Sequence, residues 1–342
     1  PVPKRIPAHW LTNRWSQEWN GMVASASLDS AFGRHDAEWV VRTAEAFWEG
    51  VGLDPLPASF WEKSDLYPVP PGDPRKKNSH AYSWHMDLDH DIRSLMSVEP
   101  NESWFGTAHH ETGHGHYSLC TVRPEVPMLL RNGASPSFDE GIATLGEMAA
   151  QQPGYLESLG LLPKGRHQDE ITPLLRLALA DIPFMFWASG VMTHWEADLY
   201  AHGMPPTEWN ARWWRYVEDY QGVEPPAPRG EEYCDAATKT HINDFPAYYY
   251  SYAVAKVITY QLNDYIARRL LASDPHHCTY AGHREVGDFL AGMMRKGATE
   301  DWRGVLRDAT GEELSTRAMV EYYAPLMKWL QKQNRGRRIG WD

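Results

Sequence analysis

Residues 110–114 have the sequence His-Glu-Thr-Gly-His, which is the H-E-x-x-H pattern. They lie in a stretch with helical character, at about residues 102–120. Residues i and i+4 share one face of an α-helix, so the imidazoles of His110 and His114 can reach one metal ion while Glu111 lies beside it. The pattern therefore predicts a catalytic zinc site with His110 and His114 as ligands and Glu111 as the general base.

A third protein ligand must come from another element, because a catalytic zinc site uses three protein ligands and keeps one open position. The leading candidate is Glu140, at the expected start of the next helix. Ser137 and Glu140 also match the capping box S-x-x-E, in which the glutamate binds a backbone N–H and no metal. Asp139 and Glu147 are close enough in sequence to compete. Spacing alone leaves these alternatives open.

The predicted chemistry is amide hydrolysis at one zinc ion. Zinc held by two histidines and a carboxylate would polarise a water molecule and lower its pKa toward neutrality. Glu111 would take a proton from that water as it attacks an amide carbonyl, and would pass the proton to the leaving amine. The oxyanion that develops needs positioned hydrogen-bond donors next to the zinc.

The elements that position these residues are predicted to be mainly helical. Residues 36–50 carry apolar side chains at helical spacing and end at a glycine, and residues 316–334 repeat the pattern around Pro325, which should kink the helix. Long runs of β alternation are scarce. We expect a mainly α fold in which residues 1–342 form a single domain.

Composition limits the classes of partner. A formal net charge of -12 argues against nucleic acid or an anionic membrane surface as the main partner. No apolar run is long enough for a transmembrane span or a signal peptide. The three cysteines, far apart in the chain, are expected to be free thiols. These features favour a soluble, cytoplasmic protein, although a chain that begins at Pro1 leaves a processed secreted form as an alternative.

Residues 107–114, with 131–140, resemble the angiotensin-converting enzyme family of zinc peptidyl-dipeptidases. Further matches follow in order: I-P-A-H at 6–9, F-W-E-K-S at 60–64, H-A-Y-S-W at 80–84, Y-Q-G at 220–222 and K-T-H-I at 239–242. The resemblance implies that Glu140 is the third zinc ligand. It also implies a helical metallopeptidase domain with a short β element at the substrate cleft, next to the H-E-x-x-H helix.

The resemblance also implies roles for residues outside the zinc pattern. His241 and Tyr250 match the histidine and tyrosine that stabilise the tetrahedral intermediate, and Lys239 and Gln17 match the positions that hold the substrate's terminal carboxylate. Taken alone, Tyr250 would be a structural aromatic residue, Lys239 a solvated surface charge, and Gln17 part of a polar helix face.

His80 and Ala81 match the family's substrate-binding strand, whose backbone pairs with an extended peptide. The implied substrate is a peptide with a free C-terminus, from which dipeptides are released. An alternative is a zinc amide hydrolase or endopeptidase that acts on a specialised substrate. A catalytically silent binding protein is a third hypothesis, against which the intact Glu111 argues.

Several positions depart from the family pattern. The arginines of its two chloride sites fall at Tyr249 and Val217, which predicts chloride-independent activity. The aspartate usually four residues after the glutamate ligand is Thr144, so a charged partner of the metal ligands is lost there and metal affinity should fall. The tyrosine that helps hold the substrate carboxylate falls at Ala247, with Tyr248 as a substitute.

The resemblance begins well inside the usual family domain, so the helical N-terminal portion that covers the cleft is not matched. We expect either a compact enzyme with a more open site, or a covering segment that was removed or is supplied by a second chain. An open site would favour larger substrates and weaken water exclusion.

Overall fold

The computed structural model describes residues 4–11, 13–24, 27–165 and 169–338. Helix accounts for 57% of the residues and strand for 4%, which confirms the mainly α prediction. The chain divides into two compact units, which are described separately. Unit 1 comprises Pro1–Ser25, His167–Lys256 and Val320–Asp342, and unit 2 comprises Ala26–Arg166 and Val257–Met319. That residues 1–342 act as one metallopeptidase domain stays a prediction.

The α-helices, in chain order, are α1 (Asp29–Phe32), α2 (Ala37–Gly50), α3 (Ala58–Lys63), α4 (Glu102–Thr121), α5 (Pro136–Ala150), α6 (Pro153–Ser158), α7 (Ile171–Phe186), α8 (Thr193–Tyr200), α9 (Trp209–Gln221), α10 (Thr240–Asp244), α11 (Tyr250–Tyr265), α12 (Arg284–Met294), α13 (Trp302–Thr310), α14 (Arg317–Tyr322) and α15 (Ala324–Gln333). The strands are β1 (Ile6–Pro7), β2 (Tyr82–His85), β3 (Ile92–Leu95) and β4 (Val223–Glu224). Six short 3₁₀ turns among the described residues and two π-helical turns, Trp187–Met192 and Ile266–Leu270, complete the helical content.

Two of the predicted helices can be compared directly with the structure. The helix expected at 36–50 is α2, whose N-cap Asp36 accepts a hydrogen bond from the backbone of Trp39 at 2.8 Å. The helix expected at 316–334 is wrong in detail, because it is divided into α14 and α15 rather than kinked. Pro325 lies in the first turn of α15, where the missing N–H of proline costs nothing.

Unit 2 holds α4 and α5 in very close contact. A Cβ built on Gly146 would lie 2.5 Å from Trp48 Cζ2 and 2.9 Å from the carbonyl oxygen of His109. A Cβ built on Gly113 would lie 2.9 Å from the same Trp48 atom and 3.2 Å from Ala143 Cα. Trp48, from α2, donates its indole N–H to His109 O at 3.1 Å. The two glycines therefore provide the space in which the Trp48 ring and both helix backbones pack together.

A small antiparallel sheet packs against α4 in the same unit. Strand β2 pairs with β3 so that Tyr82 lies opposite Leu95 and His85 lies opposite Ile92. Leu95 also forms a parallel bridge with Asp65. This sheet confirms the expectation of a short β element next to the H-E-x-x-H helix.

Unit 1 has an aromatic core. The Trp187 ring meets the Trp213 and Tyr249 rings edge to face, with centroids 6.0 and 5.1 Å apart. Strand β1 pairs with β4 in parallel, with Ile6 beside Val223. Edge-to-face pairs of this kind stabilise a core beyond the area they bury.

The continuous helical stretch Ile171–Tyr200 is long and apolar enough to cross a membrane, judged by length and composition alone. Its most apolar window has a mean hydropathy of 1.4 and is 39% buried. The sequence-based statement that no apolar run is long enough therefore needs correction. The feature is weak evidence for a membrane span, because the core helix of a soluble protein passes the same test. A soluble, cytoplasmic protein stays a prediction.

We predict that Gly146→Ala destabilises the protein by about 1–3 kcal/mol, because the added methyl group overpacks the contact with Trp48. Gly292→Ala is the matched control: this glycine is inside helix α12, and its added methyl group would meet nothing within 4 Å. The control should be neutral or slightly stabilising. Urea unfolding followed by circular dichroism measures both, and equal stability of the two variants would contradict the packing argument.

Candidate metal centre

Three potential ligand atoms converge between α4 and α5. His110 Nε2 lies 3.1 Å from His114 Nε2, and Glu140 Oε2 lies 3.3 Å from the first and 3.7 Å from the second. These residues form a group that could hold a metal ion. The two histidines are one helical turn apart on α4, as their spacing predicted, and α5 supplies the carboxylate.

The position of Glu140 follows from where α5 begins. The N-cap of α5 is Ser135, whose Oγ accepts a hydrogen bond from Phe138 N at 3.2 Å, and Pro136 takes the first helical position. Ser137 is therefore inside the helix and cannot cap it. The capping-box alternative for Ser137 and Glu140 is wrong, because Glu140 lies in the second turn with its side chain in the ligand cluster.

The cluster fits a tetrahedral zinc ion. With metal–ligand distances of about 2.0–2.1 Å, the ligand atoms of a tetrahedral site are about 3.3 Å apart. The observed separations of 3.1, 3.3 and 3.7 Å bracket that value. Two imidazoles and one carboxylate are also a donor set that suits zinc and leaves a fourth position open.

Two further carboxylates lie just outside the cluster. Asp139 Oδ1 is 2.9 Å from His114 Nδ1, and Glu147 Oε2 is 3.9 Å from His110 Nδ1. Asp139 is within hydrogen-bond distance of the His114 nitrogen that points away from the other ligands, whereas Glu147 is farther from the corresponding His110 nitrogen. Both carboxylates lie on the outer side of the histidine rings and outside the group of converging ligand atoms. Sequence reasoning missed the contact of Asp139, and the only signal available was its place directly before Glu140.

Glu111 is buried, with 6% of its surface exposed. Burial raises the pKa of its carboxyl group, and the nearby histidines His110 and His114 oppose that effect. Its Oε2 has no hydrogen-bond partner among the described residues. Because a buried carboxylate oxygen normally has a partner, this atom is suited to accept a proton or a hydrogen bond from a bound molecule.

The other two histidines of α4 are packing residues. His109 Nδ1 lies 2.7 Å from Phe105 O, and its Nε2 lies 3.2 Å from the Tyr155 hydroxyl. Burial lowers the pKa of His109 to about 4 and that of His116 to about 3. Both imidazoles are therefore neutral at physiological pH and belong to the core.

His80 and Ala81 directly precede β2, in unit 2. The His80 ring meets the Tyr82 ring edge to face, with centroids 4.8 Å apart, and its backbone N–H donates to Asn78 Oδ1 at 3.0 Å. Within the described ranges, β2 pairs with β3 and with no strand on its other edge. An edge of this kind can pair with an extended peptide.

Unit 1 brings Lys239 and Gln17 together. Lys239 Nζ donates to Gln17 Oε1 at 3.2 Å and lies 4.2 Å from the centre of the Trp15 ring and 5.2 Å from that of Tyr249. Burial lowers the pKa of the Lys239 ammonium to about 8. The alternatives of a solvated lysine and a helical Gln17 are wrong, since both side chains are buried and Gln17 lies outside the helices.

His241 is buried in α10, where its Nε2 lies 3.0 Å from the Tyr252 hydroxyl. Tyr250 is the first residue of α11 and is 48% exposed. Tyr252, rather than Tyr250, is thus the tyrosine whose hydroxyl meets His241. Sequence reasoning missed Tyr252, because its place relative to His241 depends on where α11 begins.

Ala247, in the connection between α10 and α11, has a φ of 57°, a left-handed conformation that is uncommon for alanine. The buried side chain of Glu196, from α8, accepts a hydrogen bond from Ala247 N at 2.8 Å. The nearby Tyr248 ring lies 6.4 Å from the His241 ring. The buried carboxylate of Glu196 therefore stabilises the connection between His241 and the consecutive tyrosines at 248–250.

Comparison with known proteins shows a match along nearly the whole chain. A family model described as angiotensin-converting enzyme matches residues 2–341. The chain is 31% identical over 349 residues to the angiotensin-converting enzyme of Theromyzon tessulatum, covering 97% of this chain and 55% of that protein. It is 30% identical over 353 residues to the enzymes of Mesocricetus auratus and Sus scrofa, covering 98% of this chain and 26% of each relative. The chain thus spans between about a quarter and about half the length of these curated relatives.

We predict that zinc stabilises the folded protein and that the cluster is responsible. At a free zinc concentration of 100 times the dissociation constant, the free energy of unfolding should rise by about 2.7 kcal/mol, because the metal binds the folded state. Thermal unfolding with zinc and with a chelator measures the shift. Glu140→Gln should lose most of it, whereas His90→Asn, at an exposed histidine outside the cluster, should keep it. An equal zinc-induced shift of the unfolding temperature in both variants would indicate that zinc binds outside the cluster.

Proposed function

This chain belongs to the angiotensin-converting enzyme family, and from that premise we propose that it is a zinc-dependent peptidase. One observation carries the proposal: the ligand atoms of His110, His114 and Glu140 lie 3.1–3.7 Å apart beside the buried carboxylate of Glu111. The remaining assignments rest on where the chain matches the family pattern and on the contacts of each residue.

Glu111 is the proton carrier of the proposed reaction. When bound, zinc supplies a Lewis acid that lowers the pKa of a water molecule and polarises the scissile carbonyl. Glu111 takes one proton from the attacking water molecule as the water oxygen bonds to the carbonyl carbon. It returns that proton to the amide nitrogen as the C–N bond breaks, which releases a carboxylic acid and an amine.

His241 is assigned as a donor to the developing oxyanion. Its Nε2 contacts the Tyr252 hydroxyl at 3.0 Å, so the ring orientation is set by a tyrosine two residues after the one that the family pattern indicates. Tyr250 keeps its assignment as the second donor because its position matches the family pattern, while Tyr252 is the residue that orients His241.

The substrate is proposed to be a peptide with a free C-terminus, from which dipeptides are released. Lys239 supports this assignment. In the described part of the chain its ammonium contacts a neutral amide and aromatic rings, and no carboxylate lies within ion-pair distance. The charge of Glu18 offsets only part of the effect of burial on the pKa of Lys239, so a substrate carboxylate at hydrogen-bond distance would compensate the buried ammonium further. Gln17, which holds Lys239, completes the proposed carboxylate site.

A second candidate function is cleavage of an internal peptide bond or a specialised amide. Ala247 favours it, because the family places there a tyrosine that helps hold the substrate carboxylate. Weaker binding of the substrate's terminal carboxylate would lower the preference for cleavage two residues from the C-terminus.

Mass spectrometry of the products from a peptide with a free C-terminus and from its C-terminally amidated form distinguishes the two. We predict dipeptides from the free peptide alone, and a large loss of that selectivity in Lys239→Met. Glu111→Gln is the control: it should bind zinc but lose about 10²–10⁴-fold in rate on either substrate. Equal cleavage of the free and amidated peptides would favour the second candidate, and full activity of Glu111→Gln would contradict the proposed reaction.

We also propose that the activity is independent of chloride. Tyr249 and Val217 occupy the positions of the family's chloride-binding arginines, and both are buried. The Tyr249 ring packs edge to face on the His241 ring at 4.8 Å, so an uncharged aromatic side chain occupies the position of the family's arginine. The rate should stay constant when acetate is replaced by chloride at fixed ionic strength. A several-fold increase with chloride would contradict this assignment.

A further inference from the structure

Asp139 contacts the metal cluster indirectly, through one of its histidines. Its Oδ1 lies 2.9 Å from His114 Nδ1. The other nitrogen of the same ring, Nε2, lies 3.1 Å from His110 Nε2 and 3.7 Å from Glu140 Oε2. The imidazole is therefore held between a carboxylate and the ligand cluster. With the Nδ1 proton donated to Asp139, the lone pair of Nε2 faces the metal position.

The local sequence explains how Asp139 reaches this place. Ser135 is the N-cap of α5, so Asp139 lies in the first turn of that helix, directly before the ligand Glu140. The loop before the helix is tied to α4, because Ala134 N donates to the Tyr117 hydroxyl at 2.9 Å. Gly133 passes close beside the Asp139 side chain: a Cβ there would lie 3.4 Å from Asp139 Oδ2.

His110 has no equivalent hydrogen bond. Glu147 Oε2 is 3.9 Å from His110 Nδ1, which is beyond hydrogen-bond distance, and His110 Nδ1 has no hydrogen-bond partner among the described residues. Thr144, one turn after Glu140, carries no charge. In the described part of the chain, Asp139 is thus the one carboxylate that hydrogen-bonds to the outer nitrogen of a ligand histidine.

We propose that Asp139 is the positioning residue of the metal centre, which orients His114 in place of a carboxylate at position 144. The inference rests on the proposed zinc site but not on any particular substrate. The charged partner that is lost at Thr144 would thus be replaced by Asp139, so the expected fall in metal affinity would be smaller. A hydrogen-bonded carboxylate fixes the tautomer and raises the basicity of a histidine ligand, and removing one typically costs about 10–100-fold in metal affinity.

The test is the zinc dissociation constant, measured by competition with a chromophoric chelator. Asp139→Asn should weaken zinc binding by about 10-fold or more, and Asp139→Ala by at least as much, because asparagine keeps a neutral acceptor. Glu147→Gln is the matched control. It removes one negative charge near the outer nitrogen of the other ligand histidine, His110, without breaking a hydrogen bond. It should bind zinc within a few-fold of the unmodified chain. Urea unfolding of each metal-free variant establishes that the fold is kept.

A second readout reports on the hydrogen bond itself. In the zinc-loaded protein, the Nδ1–H proton of His114 should exchange slowly and give a downfield proton resonance, which is lost in Asp139→Ala and kept in Glu147→Gln. Equal zinc affinity in Asp139→Asn, Asp139→Ala and the unmodified chain would overturn the inference, as would an equal loss in Glu147→Gln. If the unmodified chain binds no zinc, the inference and the proposed function fail together; a failure confined to peptide cleavage leaves the inference standing.

Discussion

Helices α4 and α5 approach so closely at Gly113 and Gly146 that a methyl group on either glycine would overlap with the Trp48 ring. This approach determines whether the two histidines of α4 and the carboxylate of Glu140 can share one ion, since each helix supplies part of the ligand set. Trp48 also binds the backbone of His109, which fixes the turn of α4 directly before the first ligand. Well-packed contacts of this kind transmit even small changes in volume to the side chains they support.

The electrostatics of the cluster follow from that packing. Three carboxylates lie close to the two ligand histidines in a largely buried site: Glu111, Asp139 and Glu140. Burial raises the pKa of Glu111, and the charges of Glu140 and Asp139 add to the effect. Negative groups collected out of water are costly unless a cation compensates them. A zinc ion would supply that compensation.

The sequence predicted the parts of this arrangement that are local. The spacing of the two histidines, on a helix expected at about 102–120 and found at Glu102–Thr121, needs only helix periodicity. The role of Glu140 could not be predicted from spacing alone, because Ser137 and Glu140 also matched a capping box. The structure decides between the two roles by placing the N-cap of α5 at Ser135. The contact of Asp139 with His114 and the burial of Lys239 depend on residues distant in sequence, and the contact of Tyr252 with His241 depends on where α11 begins. Composition and spacing carry no information about such contacts.

X-ray absorption at the zinc edge of the zinc-loaded protein tests the central claim most directly. A site built from His110, His114 and Glu140 predicts one zinc ion per chain, with nitrogen and oxygen neighbours at about 2.0–2.1 Å and the outer-shell scattering of two imidazole rings. The same spectrum from Glu140→Gln should show a changed or absent first shell. A sulfur neighbour at about 2.3 Å, or an oxygen shell without imidazole scattering, would contradict the account.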